Sequence, residues 1–231
     1  MAKNLICSLS IALLALAASS ARAEDGIPNN MVAVGSYWIF YNVHASDLAG
    51  PFVPAGAGLD VKNVETPYLA YVRRLSTHFA LELTAGIPPL TKSIAKGPAE
   101  VGSVPYNGQV ISTVRWLAPS LLVKYMFFDD GAMFRPYIGA GVNYVDFYDR
   151  DSTPAGNAVA GGPTKLELPS SWGPAGTVGV LMALPHSFGL QVSFSASRVT
   201  SHLTAITGDI DRTSSISFNP KTLVVAGTYG F

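Results

Sequence analysis

Between Phe134 and Tyr148 the chain alternates with a period of two. One set of positions, Phe134, Pro136, Ile138, Ala140, Val142 and Tyr144, is apolar with aromatics at both ends. The other set, Arg135, Tyr137, Gly139, Gly141 and Asn143, is polar or very small. Successive side chains of a strand point to opposite faces, so this is the pattern of a β-strand dividing two different solvents. Its 15 residues are long for a strand of a globular sheet, and aromatics at both ends of an apolar face suit the two rims of a bilayer. A single strand of this kind leaves its edges unpaired, so others must close a barrel with it.

The first residues bear on the compartment. Lys3 precedes an apolar run from Leu5 to Ala18, and Ala21-Arg22-Ala23 forms a small-x-small cleavage site, the pattern of a secretory signal peptide. The run is too short for a retained membrane helix and has no stop-transfer flank. Cleavage is expected after Ala23, making residues 1–23 the signal and 24–231 the mature domain. Cys7 falls in the signal and lacks the small residues of a lipoprotein cleavage box, so the mature chain has no cysteine for disulfides or thiolate chemistry. Without Lys3 and Arg22, 13 basic residues face 15 acidic ones, a net charge of −2. No basic stripe meets phosphates in the manner of a nucleic-acid binder, and nucleic acid is not expected as a partner. The chain is 48% hydrophobic and 13% charged, with a positive mean hydropathy, yet has no second apolar run long enough to cross a bilayer as a helix. An apolar exported chain of this kind satisfies its backbone in lipid by closing a β-barrel. A secreted sandwich with a rich core is the alternative.

About eight strands are expected: 31–43, 65–74, 79–88, 110–128 with a break near Pro119, 134–148, 172–184, a seventh through Leu190, Val192, Phe194 and Ala196, and 221–231. The aromatic first strand leaves open which face meets lipid. Segments 45–63, 89–109 and 150–171, and a shorter one at 204–215, read as Gly/Pro-rich or polar loops. The other connections are short turns at Leu75–His78, Asp129–Gly131 and Pro185–Ser187. Long and short connections therefore alternate, as in transmembrane barrels with brief periplasmic turns and extended outer loops. Leu223, Val225, Tyr229 and Phe231 share a face, and the sequence stops on that aromatic. A terminal Phe on an amphipathic strand is the address read by the outer-membrane assembly machinery of Gram-negative bacteria. No internal repeat or linker divides the chain, so one domain is expected.

The stretch Phe134-Arg135-Pro136-Tyr137-Ile138-Gly139-Ala140-Gly141-Val142-Asn143-Tyr144, followed by Phe147-Tyr148-Asp149, resembles the signature of the OmpW family of outer membrane proteins. Ser171-Trp172-Gly173-Pro174-Ala175-Gly176 before Val178-Gly179-Val180 is similar to that family's sixth strand, with weaker likenesses at Glu82–Ala85, Leu117–Ser120 and Gly227–Phe231. The resemblance implies an eight-stranded antiparallel barrel with a narrow, largely hydrophobic lumen. It further implies admission of small hydrophobic compounds that leave sideways into the lipid or through the wall. Family members tend to carry an apolar residue near position 84, where this chain has Thr84. That departure bears on how tightly a hydrophobic gate closes.

Eight strands enclose a space that side chains fill, or that holds one small ligand, which makes a general water-filled porin improbable. Alternation points Glu82, Thr84, Lys124, Arg135, Asn143, Gln191 and Ser193 inward. Glu82, Lys124 and Arg135 either form a paired network plugging the barrel or tune ion selectivity; buried charges demand partners. Trp172 is an outer-girdle aromatic, or a bulge at Gly173-Pro174 turns it inward as a gate. Gly139 and Gly141 make room for side chains rather than forming a dinucleotide loop. His78 and His186 fall in expected periplasmic turns, while His44 and His202 lie near the outer mouth. Ser201 and His202 are adjacent, so as strand neighbours they point apart and make a poor nucleophile and base. No G-x-S-x-G elbow, metal-ligand spacing or cofactor motif is present in the sequence, and no catalysis is expected. Three functions follow in order: a monomeric outer-membrane channel for small hydrophobic solutes, a structural or adhesive barrel with a plugged lumen acting through its outer loops, and a surface-lipid hydrolase needing His202.

Overall fold

The structure is a computed structural model that describes residues 28–41, 44–45 and 48–231. The expected signal segment, Met1 to Ala23, and the mature start at Glu24 lie outside the described residues. In chain order the elements are β1 (Asn30–Phe40), β2 (His44–Ala45), β3 (Gly58–Val61), β4 (Val64–Arg74), β5 (Phe79–Thr84), β6 (Leu90–Lys96), β7 (Glu100–Val101), β8 (Val104–Pro105), β9 (Val110–Leu117), β10 (Ser120–Met126), β11 (Phe134–Ser152), helix α1 (Pro154–Ala160), β12 (Thr164–Glu167), β13 (Ser171–Ala183), β14 (Phe188–Ser197), β15 (Thr200–Thr207), β16 (Ile210–Ser217) and β17 (Lys221–Gly230).

Eight of these close a barrel. β1, β4, β5, β10, β11, β13, β14 and β17 pair antiparallel in that order. β17 then returns to β1, with Met31 opposite Gly230 and Phe40 opposite Lys221. Past the last strand pair, Phe231 N donates to Asn30 O at 2.9 Å and Asn30 N to Phe231 O at 3.3 Å, so the terminal aromatic seals the seam. The expected all-β, eight-stranded antiparallel barrel is the fold. Closure leaves no edge in the wall, which is what hydrocarbon demands of backbone N–H and C=O groups. Among the described residues no helix is long and apolar enough to cross a membrane.

The two-solvent pattern maps onto the wall. Val34, Leu69, Leu121, Val123, Ile138, Val142, Val178, Leu190, Phe194 and Leu223 are all exposed on the outside. So large an apolar surface belongs against lipid. Aromatic pairs mark both rims: Phe79–Tyr125 at 5.4 Å, Tyr125–Phe127 at 5.1 Å and Phe188–Tyr229 at 5.1 Å near the short turns, and Tyr144–Trp172 at 4.6 Å at the other end. The first strand, ambiguous in sequence, turns Ala33 and Ile39 inward and Val34 and Phe40 outward.

The segments expected as loops are largely strands. β3, β6, β9, the upper half of β11, β12, β15, β16 and β2 pair in that order and prolong the wall as a second tier. Leu48 N donates to Ala57 O at 2.9 Å, which brings the two ends of this tier together. The stretch 204–215 is the β15–β16 hairpin, turned at Gly208 with φ +57°. Within 150–171, Thr153 caps α1 by accepting from Gly156 N, and Gly161 ends it in the left-handed region at φ 87°. In the lumen below, Tyr137 lies over its cross-strand partner Gly179. A Cβ on Gly179 would stand 2.6 Å from Tyr137 Cζ and Oη and 2.6 Å from the Val192 carbonyl oxygen, a clash inside a narrow barrel. Gly179→Val is therefore expected to lower stability by about 1–3 kcal/mol or more. Urea unfolding in detergent micelles checks this; an unshifted midpoint would show that the lumen has room to spare.

Candidate functional site

The lumen has a charged floor. Lys124 Nζ donates to Glu82 Oε2, and both side chains are almost fully enclosed. β5 and β10 set the pair: Lys124 lies opposite Ala80 and Glu82 opposite Leu122, so the two are diagonal neighbours on one inward face. Lys124 Nζ also sits 4.1 Å from the centroid of the Tyr137 ring, a cation–π contact in a desolvated place. Gly139, opposite Lys124, leaves space for its stem, since a Cβ there would meet Lys124 Cγ at 3.2 Å. Below the pair, Tyr137 and Gln191 are wholly buried, and Ala33, Ala70 and Ala226 are among the small inward residues beside them.

Arg135 does not join this pair. Gly139 marks the level of Lys124, and Arg135 is four residues away along β11, about 13 Å at a rise of ~3.3 Å per residue. Its Nη1 donates to Asp130 Oδ1 at 2.6 Å, and its Nη2 donates to the carbonyls of Thr77 and Phe128. Asp130 also accepts from Arg74 Nη1 at 2.6 Å. The single network expected from Glu82, Lys124 and Arg135 is thus two clusters, one inside the lumen and one at the short-turn rim.

Above the floor comes a polar ring. Asn143 Nδ2 donates to Ser120 Oγ at 2.8 Å, and Thr84 Oγ1 accepts from Ser120 N at 3.2 Å. Ser195 Oγ donates to Thr177 Oγ1 at 2.9 Å, and Ser193 is buried beside them. Tyr37 and Tyr68 tilt against each other at 5.7 Å across this level.

Higher still the lining turns apolar. Leu59, Val61, Val145, Phe147, Leu168, Val199 and Ile216 form one buried cluster, with Tyr41, Val114, Trp116 and Phe218 against it. Together they wall a cup of about 100 Å³ whose lower end stops at Glu82 and Leu122. A second apolar cavity toward the outside, near Val53, Tyr106 and Val159, shares Leu59, Ser112, Leu166 and Leu203 with the cup. Tyr106 Oη donates to Gly58 O at 2.7 Å, and burial raises its pKa above the usual phenol value. Arg212 borders this vestibule, donating to Pro51 O, Thr207 Oγ1 and Ala160 O.

The named candidates sort by place. Glu82 and Lys124 make the floor, Thr84 and Asn143 the ring above it, and Gln191 lies beneath. Trp172 is 70% exposed on the outer wall, packed on Tyr144, so the reading that turned it inward as a gate does not hold: the register with β11 runs unbroken through Gly173-Pro174 and leaves the ring outside. Ser201 Oγ donates to Pro169 O at 2.8 Å from a buried position, while His202 Nδ1 meets Ser215 Oγ at 3.0 Å on the exposed side. They are engaged apart, as alternation requires. Among the described residues no group of three or more His, Cys, Asp or Glu is placed to hold a metal ion.

The resemblance implied a largely hydrophobic lumen, but the alternation of residues did not place the apolar cup, although β11 carries its signal. Its inward set runs Arg135, Tyr137, Gly139, Gly141, Asn143 and then changes character to Val145 and Phe147, while outward Asp146 replaces the apolar residues below. The two faces exchange solvents at the membrane's upper boundary. The floor yields a stability test. Glu82→Leu leaves the Lys124 ammonium buried without its partner and is expected to destabilise the barrel by about 3–5 kcal/mol, whereas the double change E82L/K124L restores most of it. Denaturant unfolding of the three proteins measures the difference; equal losses in both variants would mean that the pair is not the coupled unit.

Residues 31–231 match the family model of the OmpW family. The Outer membrane protein W of Vibrio cholerae serotype O1 is 31% identical over 143 residues, covering 62% of this chain and 63% of that protein. The Outer membrane protein W of Escherichia coli strain K12 is 31% identical over 138 residues, covering 60% and 59%. In these matches the chain spans about three fifths of the length of its curated relatives. Among solved structures, the outer membrane protein OprG from Pseudomonas aeruginosa superposes with a TM-score of 0.78 at 19% identity, covering 88% of this chain and 96% of that one. AlkL in DMPC lipid bilayers gives 0.63 at 19%, covering 92% and 94%, and E. coli Outer Membrane Protein W gives 0.55 at 24%, covering 90% and 100%. At these identities the structures speak to the fold.

Proposed function

Because the chain belongs to the OmpW family and is a β-barrel of the outer membrane, we propose that it is a narrow channel taking small hydrophobic molecules from outside into the lipid, not through its lower end. The observation that carries this reading is the exchange of lining at Asn143: an apolar cup above, a sealed ion-paired floor below. An apolar solute gains by leaving water for Val145, Phe147, Val199 and Ile216. Going down, it meets the Glu82–Lys124 pair, Tyr137 and Gln191, which leave no space. Sideways, the cup's lining includes Gly176 and Ala196, cross-strand partners at lipid-facing positions of β13 and β14. Pro174 and Pro220, which lack N–H donors, flank the upper end of β14 and thin the ladder there. The vestibule that shares Leu59 and Leu203 with the cup is the route in from outside.

A second reading, a structural or adhesive barrel acting through its outer parts, draws on the same floor and on the strand-paired upper tier. The two separate in a transport assay. Proteoliposomes holding the wild-type barrel are expected to accumulate an apolar probe faster than empty ones, and Ala118→Trp, which fills the cup, is expected to slow this several-fold. E82L/K124L is expected to leave the rate unchanged, since the floor is not the route. If cup-filling changes nothing while removal of β7 and β8 abolishes a binding activity, the adhesive reading takes over. The same proposal carries a cleaved signal over residues 1–23, a monomeric barrel, and Phe231 as the address for the assembly machinery. Deleting Phe231 is expected to reduce the amount of barrel reaching the membrane in cells, read by immunoblot of membrane fractions.

A further inference from the structure

Three cations stand together on the outward wall of the upper tier. The cup settles which way they point: Leu59 and Val61 on β3, Thr91 and Ser93 on β6, and Val114 and Trp116 on β9 line it. The intervening Lys62, Lys92 and Arg115 therefore face out, and both lysines are exposed. Lys62 N donates to Lys92 O at 3.2 Å, continuing a register in which Val61 lies opposite Ser93. The two lysines are thus direct cross-strand partners. Arg115, opposite Leu90, is the diagonal neighbour of Lys92, which lies opposite Thr113. Direct partners have Cβ atoms about 5 Å apart, and like charges so placed destabilise a sheet. None of the ion pairs among the described residues includes Lys62 or Lys92; Arg115 pairs with Asp149 at 3.7 Å, both groups exposed, and its Nη1 donates to Pro88 O at 3.3 Å.

Asp60, exposed on the same outward face of β3, accepts from Val61 N at 2.8 Å and makes no ion pair with either lysine, so the cluster still asks for an anion, and its height says which kind. Ile87 and Leu90, 52% and 43% exposed, lie on the same wall just below. Lys92 is two residues beyond Leu90, about 7 Å along the strand. The headgroup layer beyond the hydrocarbon is about 5–8 Å thick on each side. The cations therefore sit at headgroup height with apolar side chains directly beneath.

We propose that Lys62, Lys92 and Arg115 bind a phosphorylated lipid of the outer leaflet, with a phosphate between the two lysines and acyl chains along Leu90 and Ile87. The site faces away from the cup and is independent of the transport reading. The phosphate supplies the negative charge the lysine pair lacks, and its charge-assisted hydrogen bonds replace their mutual repulsion.

The test uses the full barrel in phosphatidylcholine nanodiscs with added diphosphoryl lipid A or its dephosphorylated form, read by native mass spectrometry. K62Q/K92Q is expected to weaken retention of the diphosphoryl lipid roughly thirtyfold. Lys165→Gln, which removes one lysine charge elsewhere on the tier, is expected to leave retention unchanged, whereas K62Q alone is expected to weaken it. Folding of the variants is checked by heat-modifiable mobility, and K62Q/K92Q is expected to melt higher than wild type when no anionic lipid is present. Equal retention by K62Q/K92Q and wild type would overturn the proposal, as would equal retention of the dephosphorylated lipid by wild type. Saturation by inorganic phosphate in phosphate-free detergent, to the exclusion of the lipid, would make it a free-anion site and overturn it too.

Discussion

Hydrocarbon offers no partner to a backbone N–H or C=O, and the rest of this molecule follows from that constraint. Eight strands meet it by closing β17 onto β1. Closure with eight strands leaves an interior too narrow to be a water channel, so inward side chains must either fill it or leave one small cavity. Both outcomes occur at different heights. In the membrane the interior is filled, with Tyr137 lying over Gly179 and Lys124 held between Glu82 and an aromatic face. Above it a cavity stays open, walled by a buried apolar cluster with short Ser and Thr side chains between.

The buried Glu82–Lys124 pair is a small net source of stability. Taking both groups out of water offsets most of their attraction. In the lumen the pair lies at the level where the cup ends. Arg135 performs a different task at the short-turn rim, where Asp130 ties it to Arg74 and holds the turn after β10 against the one after β4. The upper tier extends the same wall into water. There the inside is the drier side, which is why apolar residues move from the outer face to the inner one between Asn143 and Phe147.

Legibility followed the contrast between solvents. Where lipid lies outside and a polar lumen inside, alternate residues differ strongly, and 79–84 of the expected 79–88, 134–148 and Leu190 to Ser197 were readable as strands with their faces assigned. In the upper tier, water lies outside and a half-polar lining inside, so the contrast fades. β6 puts Thr91, Ser93 and Ala95 inside against Leu90, Lys92, Ile94 and Lys96 outside, a mixture with no apolar face. β16 is mostly Ser and Thr on both sides. Such strands are held by backbone pairing, which side-chain patterns do not record, and they passed for loops. Trp172 was ambiguous for a related reason: a Gly-Pro step permits a bulge, and only the register with β11 excludes it.

Residue order alone determined that this chain spans the outer membrane as a closed barrel, which face of most strands meets lipid, and which polar residues turn inward, because each of these depends on local alternation. Pairings across strands were decided by tertiary structure. Glu82 and Lys124 come from strands separated by a long excursion through β6 to β9, and Lys62 meets Lys92 across another. Register between such strands depends on how many residues the intervening excursion consumes and how it is itself paired. That is a property of the whole closed wall, and no short window of sequence contains it.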